Sequence, residues 1–399
     1  MNLHIHPVNL DHASRVLKCL ESAGRSGCFR TRVFIGAGAG KQYEFQDSVG
    51  SVAVRLFPRG SGPRSSSLRK ALATLVWTRS VASYAWGLRA KCINVHGLST
   101  LALGVKLKRH HGCKLIYDTH ELETKVLAAR GVRRIYAERL ERAMIHNCDA
   151  VVCVSDGIAD WYATHYGITR PLVVRNVPDQ RSRVVAKAAG DLRARCAVPP
   201  NALLFLYQGR ITAGRQVEHF LEVFAKVPPE RHLVFMGQGE LAEAVRRANG
   251  RSNIHYHPPV PPSEVLAYTA QADVGLVGME NTCLNHWLSL PNKLFECLAA
   301  GTPVIVPDLP EMKRVVDQYR CGWSWSGETE QLVSFIRQLS IEEVRAKQEG
   351  ALVASRELSW ETEEQGLLRL YRGLLKPTIE PVASRSRSPL ASTDEREMA

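Results

Sequence analysis

Short apolar segments alternate with helical patterns along most of this 399-residue chain. Several of the apolar segments end in Gly, Asp, His or Asn and lead into a helical pattern, as at residues 114–118 and 203–209. Such a βαβ series predicts parallel sheets, in which ligands lie at the carboxyl ends of the strands. A chain of this length exceeds one ordinary core, so we expect two domains.

The strand series starts afresh after a stretch of scattered charge, alanine and two prolines. Strands are predicted in the first half at residues 3–8, 31–36, 92–97, 114–118, 150–155 and 171–178, and in the second half at 203–209, 233–239, 253–256, 272–277 and 304–306. We therefore predict an α/β fold of two Rossmann-like domains, whose parallel sheets face a shared cleft. The first domain is expected over residues 1–178, a linker over 179–200 and a disordered, Ser- and Pro-rich tail over 377–399.

The cysteine pattern argues against a disulfide framework and against zinc. The ten cysteines form no C-x-x-C pair and no Cys/His cluster with metal-ligand spacing, which favours a reducing cytoplasm. No segment approaches the roughly 20 apolar residues of a membrane span. We therefore expect a protein that is neither secreted nor integral to a membrane.

Positive charge is concentrated in the first half. Residues 1–178 contain 26 Lys and Arg against 12 Asp and Glu, whereas residues 179–399 contain 26 against 27. Such a surface favours an anionic partner, which could be nucleic acid, a membrane surface or a phosphorylated ligand; the alternative is a solvated surface without a partner. Residues 68–91 mix Leu, Val and Trp with Arg and Lys, a pattern that can lie in a membrane interface, although we favour core packing of the apolar face.

The stretch 289–306 predicts an anion site. Pro291 suits the first turn of a helix, Gly301 ends it, and residues 304–306 form a buried strand. The free N–H groups and the positive dipole end of this helix lie at Asn292 and Lys293, and Glu296 follows one turn later. A carboxylate accepts hydrogen bonds from hydroxyls, so the pair predicts a phosphate next to a sugar.

Two other features carry only structural interpretations. Residues 36–41 are rich in glycine, but their spacing is wrong for a phosphate loop, and Gln42 stands where a Ser or Thr would hold magnesium. His4, His6, His110 and His111 are interpreted as structural side chains.

A set of motifs resembles one known family. The strongest are YQGRITAGR (207–215), MGQGEL (236–241), HPPVPPSEVLAYTAQADVGLV (257–277) and SLPNKLFECLAAGTPVIVPDLPEM (289–312), supported by DHASRVLK (11–18), YDTHELE (117–123) and VVRNVPD (173–179). On these motifs the chain resembles the retaining nucleotide-sugar glycosyltransferases of family 4, which have the two-domain GT-B fold. The sequence SLPNKLFE further resembles the corresponding motif of bacterial enzymes that build cell-surface polysaccharides.

The resemblance implies a donor site in the second domain, expected over residues 201–355. Arg210 and Arg215 match the family's Arg and Lys that neutralise the donor diphosphate, and Glu296 matches a glutamate that holds the ribose hydroxyls. The remaining donor-binding candidates are Gly237, Gly239, Ser289, Asn292, Lys293 and Leu294. Leu288 departs from the family, because a glutamate that contacts the donor sugar usually stands there; backbone N–H groups of 289–293, Glu280, Asn281 or Asn285 are the possible replacements.

In the first domain, His120 matches a histidine that the family places near the reacting sugar. Asp118 and Glu121 flank it and are expected to face the cleft, and Asn176 matches a polar position at the acceptor side of the cleft. Residues 356–376, which include Trp360, resemble the family's closing helix, which returns to the first domain.

The resemblance implies transfer of a sugar from a nucleoside-diphosphate sugar to a glycan or lipid-linked acceptor, with retention of configuration. We expect no cofactor and no metal, because no acidic D-x-D pair follows a suitable strand. A cytoplasmic protein that associates peripherally with an anionic membrane is expected, and nucleic acid is not an expected partner. Two alternatives remain open: a nucleotide-sugar epimerase of the same fold, and a nucleic-acid-binding protein driven by charge.

Overall fold

The protein is described by a computed structural model over residues 1–10, 13–60, 67–127, 131–179, 190–250 and 253–375. The predicted tail, residues 180–189 of the predicted linker and the first two residues of the DHASRVLK motif lie outside the described residues.

The first half of the chain builds an eight-stranded sheet. Its strands are β1 (Asn2–Ile5), β2 (Arg32–Ala37), β3 (Gln42–Gln46), β4 (Ser51–Phe57), β5 (Cys92–His96), β6 (Lys114–Asp118), β7 (Ala150–Cys153) and β8 (Leu172–Val173). The spatial order is β3-β4-β2-β1-β5-β6-β7-β8, and all neighbours are parallel except β3, which pairs with β4 in an antiparallel hairpin. The hairpin was not predicted, and the strand predicted over 171–178 pairs only at two residues.

The helices of this half connect parallel strands of the sheet. They are α1 (Ser14–Arg25), α2 (Ser67–Trp86), α3 (Leu98–His111), α4 (Gly131–Ile145) and α5 (Asp156–Tyr166). Local sequence sets both ends of helix α5: the Ser155 hydroxyl caps its start by accepting a hydrogen bond from the Ile158 amide at 3.3 Å, and Gly167 ends it at φ 64°. Trp77, Val81 and Ala85 of α2 are buried against the sheet, which confirms the expected core packing of one face of this helix.

The second half builds a six-stranded parallel sheet. Its strands are β9 (Leu203–Arg210), β10 (Arg231–Gln238), β11 (Ile254–His257), β12 (Val274–Leu276), β13 (Val304–Pro307) and β14 (Gly322–Trp325), in the order β11-β10-β9-β12-β13-β14. The helices are α6 (Leu192–Arg195), α7 (Val217–Phe224), α8 (Ala242–Ala248), α9 (Val265–Thr269), α10 (Leu284–Trp287), α11 (Asn292–Ala299), α12 (Pro310–Tyr319), α13 (Thr329–Gln338), α14 (Ile341–Glu357) and α15 (Trp360–Leu374). Two predominantly parallel sheets confirm the predicted α/β class.

The last helix, α15, packs against α1 of the first half. Glu364 accepts from the Ser22 hydroxyl at 2.7 Å and from Arg25 at 2.9 Å. The Tyr371 hydroxyl donates to Asn94 Oδ1 at 3.1 Å, and the Tyr371 side chain is buried. The polypeptide thus begins and ends its described path on the first domain. Among the described helices, none is both long enough and apolar enough to cross a membrane.

Candidate active site

Glycines shape the carboxyl ends of β9 and β10. A Cβ at Gly237 would lie 1.8 Å from the Gly209 carbonyl oxygen, and one at Gly239 would lie 2.2 Å from the Ile211 oxygen. Both predicted donor-binding glycines therefore stand where another residue would require the backbone to move. Beside them Arg210 is exposed and lines an open cavity of about 620 Å³ with Gln238, Gly239, Ala242 and Arg246.

The start of α11 lies at the same edge of the second sheet. Pro291 is the N-cap rather than a residue of the first turn, and Asn292 is exposed. Leu294 is buried, and its amide already donates to the Pro291 oxygen at 3.0 Å. The Leu294 amide is therefore engaged within the first turn, and Leu294 stays a predicted donor-binding residue. The helix offers the amides of Asn292 and Lys293.

Lys293 places a cation inside this site. Its Nζ is buried, has no hydrogen-bond partner among the described residues, and lies 4.0 Å from the centroid of the Tyr207 ring. Burial, reinforced by the nearby Arg215 guanidinium, lowers the pKa of Lys293 to about 7. Arg215 itself is half-buried in the turn between β9 and α7. An ammonium without a partner beside a second cation is suited to an anionic ligand.

A chain of side-chain hydrogen bonds, which was not predicted from the sequence, holds Glu296. Its Oε2 accepts from the Gln208 amide at 2.7 Å, and Gln208 Oε1 accepts from the Thr269 hydroxyl at 2.5 Å. Burial raises the pKa of Glu296, while the hydrogen bond from Gln208 and the charges of Lys293 and Lys18 oppose that rise. These hydrogen bonds fix the carboxylate on the cleft side of the helix.

Lys18 brings a first-domain cation towards this carboxylate. Its Nζ donates to the Val177 carbonyl at 2.7 Å and lies 4.8 Å from the centroid of the Trp360 ring. Burial lowers the pKa of Lys18 to about 8, and the charge of Glu296 works against that shift. Lys18 belongs to a motif that supported the family resemblance, but no role was predicted for it.

Four histidines and one aspartate gather at the carboxyl ends of β1, β5 and β6. His4 Nδ1 lies 2.9 Å from His96 Nε2, and His96 Nδ1 lies 3.1 Å from His120 Nε2. The His6 ring stacks on His120 with centroids 5.2 Å apart. Burial lowers the pKa of His6 to about 3 and that of His96 to about 4, so both rings are neutral at pH 7. His4 and His6, interpreted from the sequence as structural, thus support the predicted catalytic residue His120.

Asp118 does not face the cleft as predicted, because Arg15 sequesters it. The Arg15 guanidinium contacts both carboxylate oxygens at 2.8–3.1 Å, and both side chains are about 5% exposed. Although burial opposes ionisation, Arg15 and the neighbouring histidines hold the pKa of Asp118 well below its usual range. Asp118 Oδ2 lies 3.1 Å from His96 Nδ1 and 3.6 Å from His120 Nε2, so it orients the histidines.

The described residues include one group that could hold a metal ion: His96, Asp118 and His120. The group offers two nitrogens and one oxygen, a donor set that zinc accepts. The two carboxylate oxygens of Asp118, however, already accept hydrogen bonds from the charged Arg15 guanidinium. Both ring nitrogens of His96 are also within hydrogen-bond distance of other histidines. These contacts are those of a hydrogen-bond network that sets the orientation of His120.

Leu288 and Asn285, near the expected donor-sugar contacts, join the two domains instead. The Leu288 oxygen accepts from the Ser155 hydroxyl at 2.6 Å, and its side chain packs on the apolar cluster of the first domain. Asn285 is 5% exposed and accepts from the Leu122 amide at 2.7 Å. The departure at Leu288 therefore replaces a carboxylate by an apolar interdomain contact.

The remaining predicted residues lie nearby. Glu121 is exposed and accepts from Asn285 Nδ2 at 3.3 Å, and Ser289 donates to the Asn285 carbonyl. Asn176 is half-buried, and none of the described residues forms a hydrogen bond with its Oδ1. Glu280 is half-buried and Asn281 exposed, so both keep their place among the possible sugar contacts.

Two sheets with their carboxyl ends at a common cleft, closed by a helix that returns to the first domain, define the GT-B architecture. Solved structures share it at low identity. Sucrose-phosphate synthase from Thermosynechococcus elongatus is 15% identical with a TM-score of 0.74, over 94% of this chain and 99% of that chain. Anabaena HepE in complex with UDP-glucose is 14% identical with a TM-score of 0.69, over 94% and 99%. An E. coli trehalose-6-phosphate structure bound with UDP-2-fluoro glucose is 10% identical with a TM-score of 0.70, over 94% and 100%.

Family comparisons cover both halves of the chain. Residues 12–177 match the family described as Glycosyltransferase Family 4, and residues 202–341 match the family described as Glycosyl transferases group 1. A search among curated proteins finds no match. With both matches in chain order on a GT-B fold, the chain belongs to the family 4 type of glycosyltransferases. The predicted family and fold are thereby confirmed, and neither the epimerase nor the nucleic-acid alternative is favoured.

Proposed function

We propose that the protein transfers a sugar from a nucleoside-diphosphate sugar to a hydroxyl of a glycan or lipid-linked acceptor, with retention of configuration. The observation that carries the proposal is the pair at α11: the buried, unpartnered ammonium of Lys293 and the fixed carboxylate of Glu296 one turn later. The ammonium suits a diphosphate, and the carboxylate suits ribose hydroxyls. Structural relatives from Anabaena and E. coli are bound to UDP-glucose and UDP-2-fluoro glucose, which supports a nucleotide-sugar donor.

Catalysis in this proposal depends on stabilising the departing nucleoside diphosphate. Arg210, Arg215 and Lys293 offer three cations at one edge of the second sheet, and the α11 N-terminus adds backbone amides. Fixed dipoles and charges aimed at a developing oxyanion are worth several kcal/mol of barrier lowering in a site from which water is excluded. Because Lys18 of the first domain interacts with the charge of Glu296, we propose that closure of the first domain over the donor excludes solvent.

On the first-domain side, His120 is proposed to lie next to the reacting sugar. Asp118 and His96 fix one edge of its ring through Nε2, so the opposite nitrogen, Nδ1, is the one available to a substrate. Three cations and a helix N-terminus can neutralise the diphosphate without a metal, so we propose a metal-independent reaction. EDTA should then leave the transfer rate unchanged within about twofold, whereas loss of activity restored by a divalent cation would contradict this.

The acceptor is proposed to be a bacterial surface glycan or its lipid-linked precursor, met at the inner face of the cell membrane. The SLPNKLFE motif and the basic first domain support this choice of acceptor. The protein would then be cytoplasmic and peripheral to the membrane.

The proposal is tested by donor binding and turnover in matched variants. Thermal shift against nucleoside diphosphates and nucleotide sugars identifies the donor, because a ligand at about 100 times its Kd adds about 2.7 kcal/mol of stability. Glu296→Ala and Arg210→Ala should then lose the ligand-induced shift and most turnover, while Arg337→Ala, an exposed arginine of α13, should keep both. Normal donor affinity and turnover in both site variants would refute the site assignment. Epimerised donor formed without acceptor would instead identify an epimerase.

A further inference from the structure

The first domain exposes an unusual amount of apolar side chain on two helices. Seven of the thirteen large apolar side chains that are strongly exposed in the described residues belong to α2 and α4. They are Leu72 (53% exposed), Leu75 (47%), Val76 (58%) and Trp86 (48%) of α2, and Val132 (82%), Ile135 (50%) and Tyr136 (68%) of α4. We refer to these seven side chains as the outer helix face.

These side chains are spaced as one surface on each helix. On α2, Leu75 and Val76 lie three and four residues after Leu72, and Trp86 lies ten residues after Val76; at helical spacing all four are on the side opposite the buried Trp77, Val81 and Ala85. Helix α2 is therefore apolar on two sides, of which only one is covered by the sheet. Monomeric proteins rarely leave such contiguous apolar surface in water, and it commonly marks a partner or membrane site.

The two helices belong to one layer. Helix α3 packs against both α2 and α4, and the Trp86 ring of α2 stacks on His110 of α3 with centroids 4.1 Å apart. The crossovers that carry α2, α3 and α4 run in the same direction across the sheet, from β4 to β5, β6 and β7. Right-handed connections place such helices on one side of the sheet.

Positive charge accompanies the apolar residues. Helices α2 and α3 contain no Asp or Glu at all. Exposed cations lie between and beside the apolar positions: Arg79 on α2, Lys106 and Arg109 on α3, and Arg133 and Arg139 on α4. Apolar side chains mixed with basic ones are complementary to an anionic bilayer surface, where each juxtamembrane cation contributes about 1 kcal/mol.

The outer helix face also adjoins the cleft. In βα units the helix starts near the carboxyl end of the preceding strand, so the first turns of α2 and α4 lie at the cleft edge of the sheet. Six of the seven residues are in the first half of their helix. Beside the start of α4, an open cavity of about 350 Å³ spans the two domains, lined by Lys125, Leu127, Arg134, Trp161 and Cys283 among others.

We propose that the outer helix face binds the surface of an anionic lipid bilayer and presents the rim of the cleft to it. In naming a membrane the proposal rests on the proposed function, because a lipid-linked acceptor would reach the cleft from that surface. Tyr136, Ile135 and Val132 enter the interfacial region beside the cavity, while Leu72, Leu75 and Val76 form the second contact. The cations of α3 lie between the two contacts and face the lipid headgroups.

Flotation of the full chain with vesicles tests the proposal. Wild-type protein should float with phosphatidylcholine vesicles that contain about one-third phosphatidylglycerol, and much less with pure phosphatidylcholine or at high salt. The double variant Ile135→Ser/Tyr136→Ser should lower the bound-to-free ratio at least tenfold. The matched control is Leu352→Ser/Val353→Ser on α14, two side chains each 47% exposed, which should float like wild type.

Equal flotation of the α4 variant and wild type, or equal loss in the α14 control, would overturn the proposal, as would wild-type protein that does not float at low salt. A dimer that the α4 substitutions convert to a monomer without changing flotation would assign the face to a second copy instead. UDP-induced thermal shift of the same variants separates the two proposals: it should be retained, since none of these residues lies at the donor site. Flotation without any nucleotide response would leave the membrane face standing while the proposed donor site fails.

Discussion

Replacing Lys293 by methionine should stabilise the protein and weaken the donor site at the same time. The Lys293 ammonium is buried without a hydrogen-bond acceptor in the part of the chain that the structure describes, and its pKa is lowered from 10.5 to about 7. Since each pKa unit corresponds to 1.36 kcal/mol, holding this charge in the folded state costs roughly 4 to 5 kcal/mol at or below pH 7. The Tyr207 ring face, 4.0 Å away, offsets about 2 kcal/mol. Methionine keeps the length of the stem, so we expect a gain of about 2 to 3 kcal/mol.

The gain should depend on pH in one direction. Between about pH 7 and 10.5 the unfolded chain holds a proton on Lys293 that the folded protein has lost, so wild-type stability rises with pH across this interval. The advantage of Lys293→Met is therefore largest near pH 7 and shrinks towards pH 10. Urea unfolding followed by tryptophan fluorescence at three pH values measures it, and Lys313→Met, at an exposed lysine paired with Asp317, is the control, with a change below about 0.5 kcal/mol.

Donor binding completes this prediction. If the Lys293 ammonium contacts the diphosphate, Lys293→Met should bind UDP at least tenfold more weakly although it is more stable. A variant that is no more stable than wild type at pH 7, or whose advantage is the same at every pH, would refute the assignment of a buried, unpartnered charge. A variant that binds UDP normally would refute its role at the donor site.

Three further substitutions follow from contacts in the site. Arg15→Met leaves the Asp118 carboxylate buried without its cation and should cost about 3 to 5 kcal/mol in urea unfolding. Gly237→Ala forces a methyl group against the Gly209 oxygen and should abolish the thermal shift induced by UDP, whereas Gly373→Ala, with open space around its Cα, should not. Leu288→Glu restores the family's glutamate but places it in an apolar interdomain contact, so it should lower stability by about 0.5 to 3 kcal/mol and not raise turnover.

The fold was predictable where strands are continuous apolar runs. β9, β10 and β13 are fully buried over such runs, and hydrophobic patterning alone identified them. The hairpin strand β3 was missed because it lies at the sheet edge, where Gln42, Glu44 and Gln46 face solvent and leave no apolar run. β14 was missed for a similar reason, since its Gly-Trp-Ser-Trp sequence has no aliphatic run.

The candidate site was predictable only in its local parts. Glu296 and the start of α11 lie within one continuous motif, whose helix N-terminus can be read from Pro291 and the apolar spacing. The support of His120 could not be found in this way, because His4 and His96 are 92 positions apart and meet only through strand pairing. Lys18 approaches Glu296 across the cleft, so its role depends on how two domains pack, which no local pattern encodes.

The return of α15 to α1 has a consequence for the order in which the chain can fold during synthesis. The first domain is synthesised before the second, yet Ser22 and Arg25 of the first domain donate hydrogen bonds to Glu364 of the last helix, and Tyr371 of that helix donates to Asn94. Until those residues leave the ribosome, one side of the first domain is open to water. The domain that emerges first is therefore completed last, and an expressed fragment that ends before residue 360 would lack part of its own core.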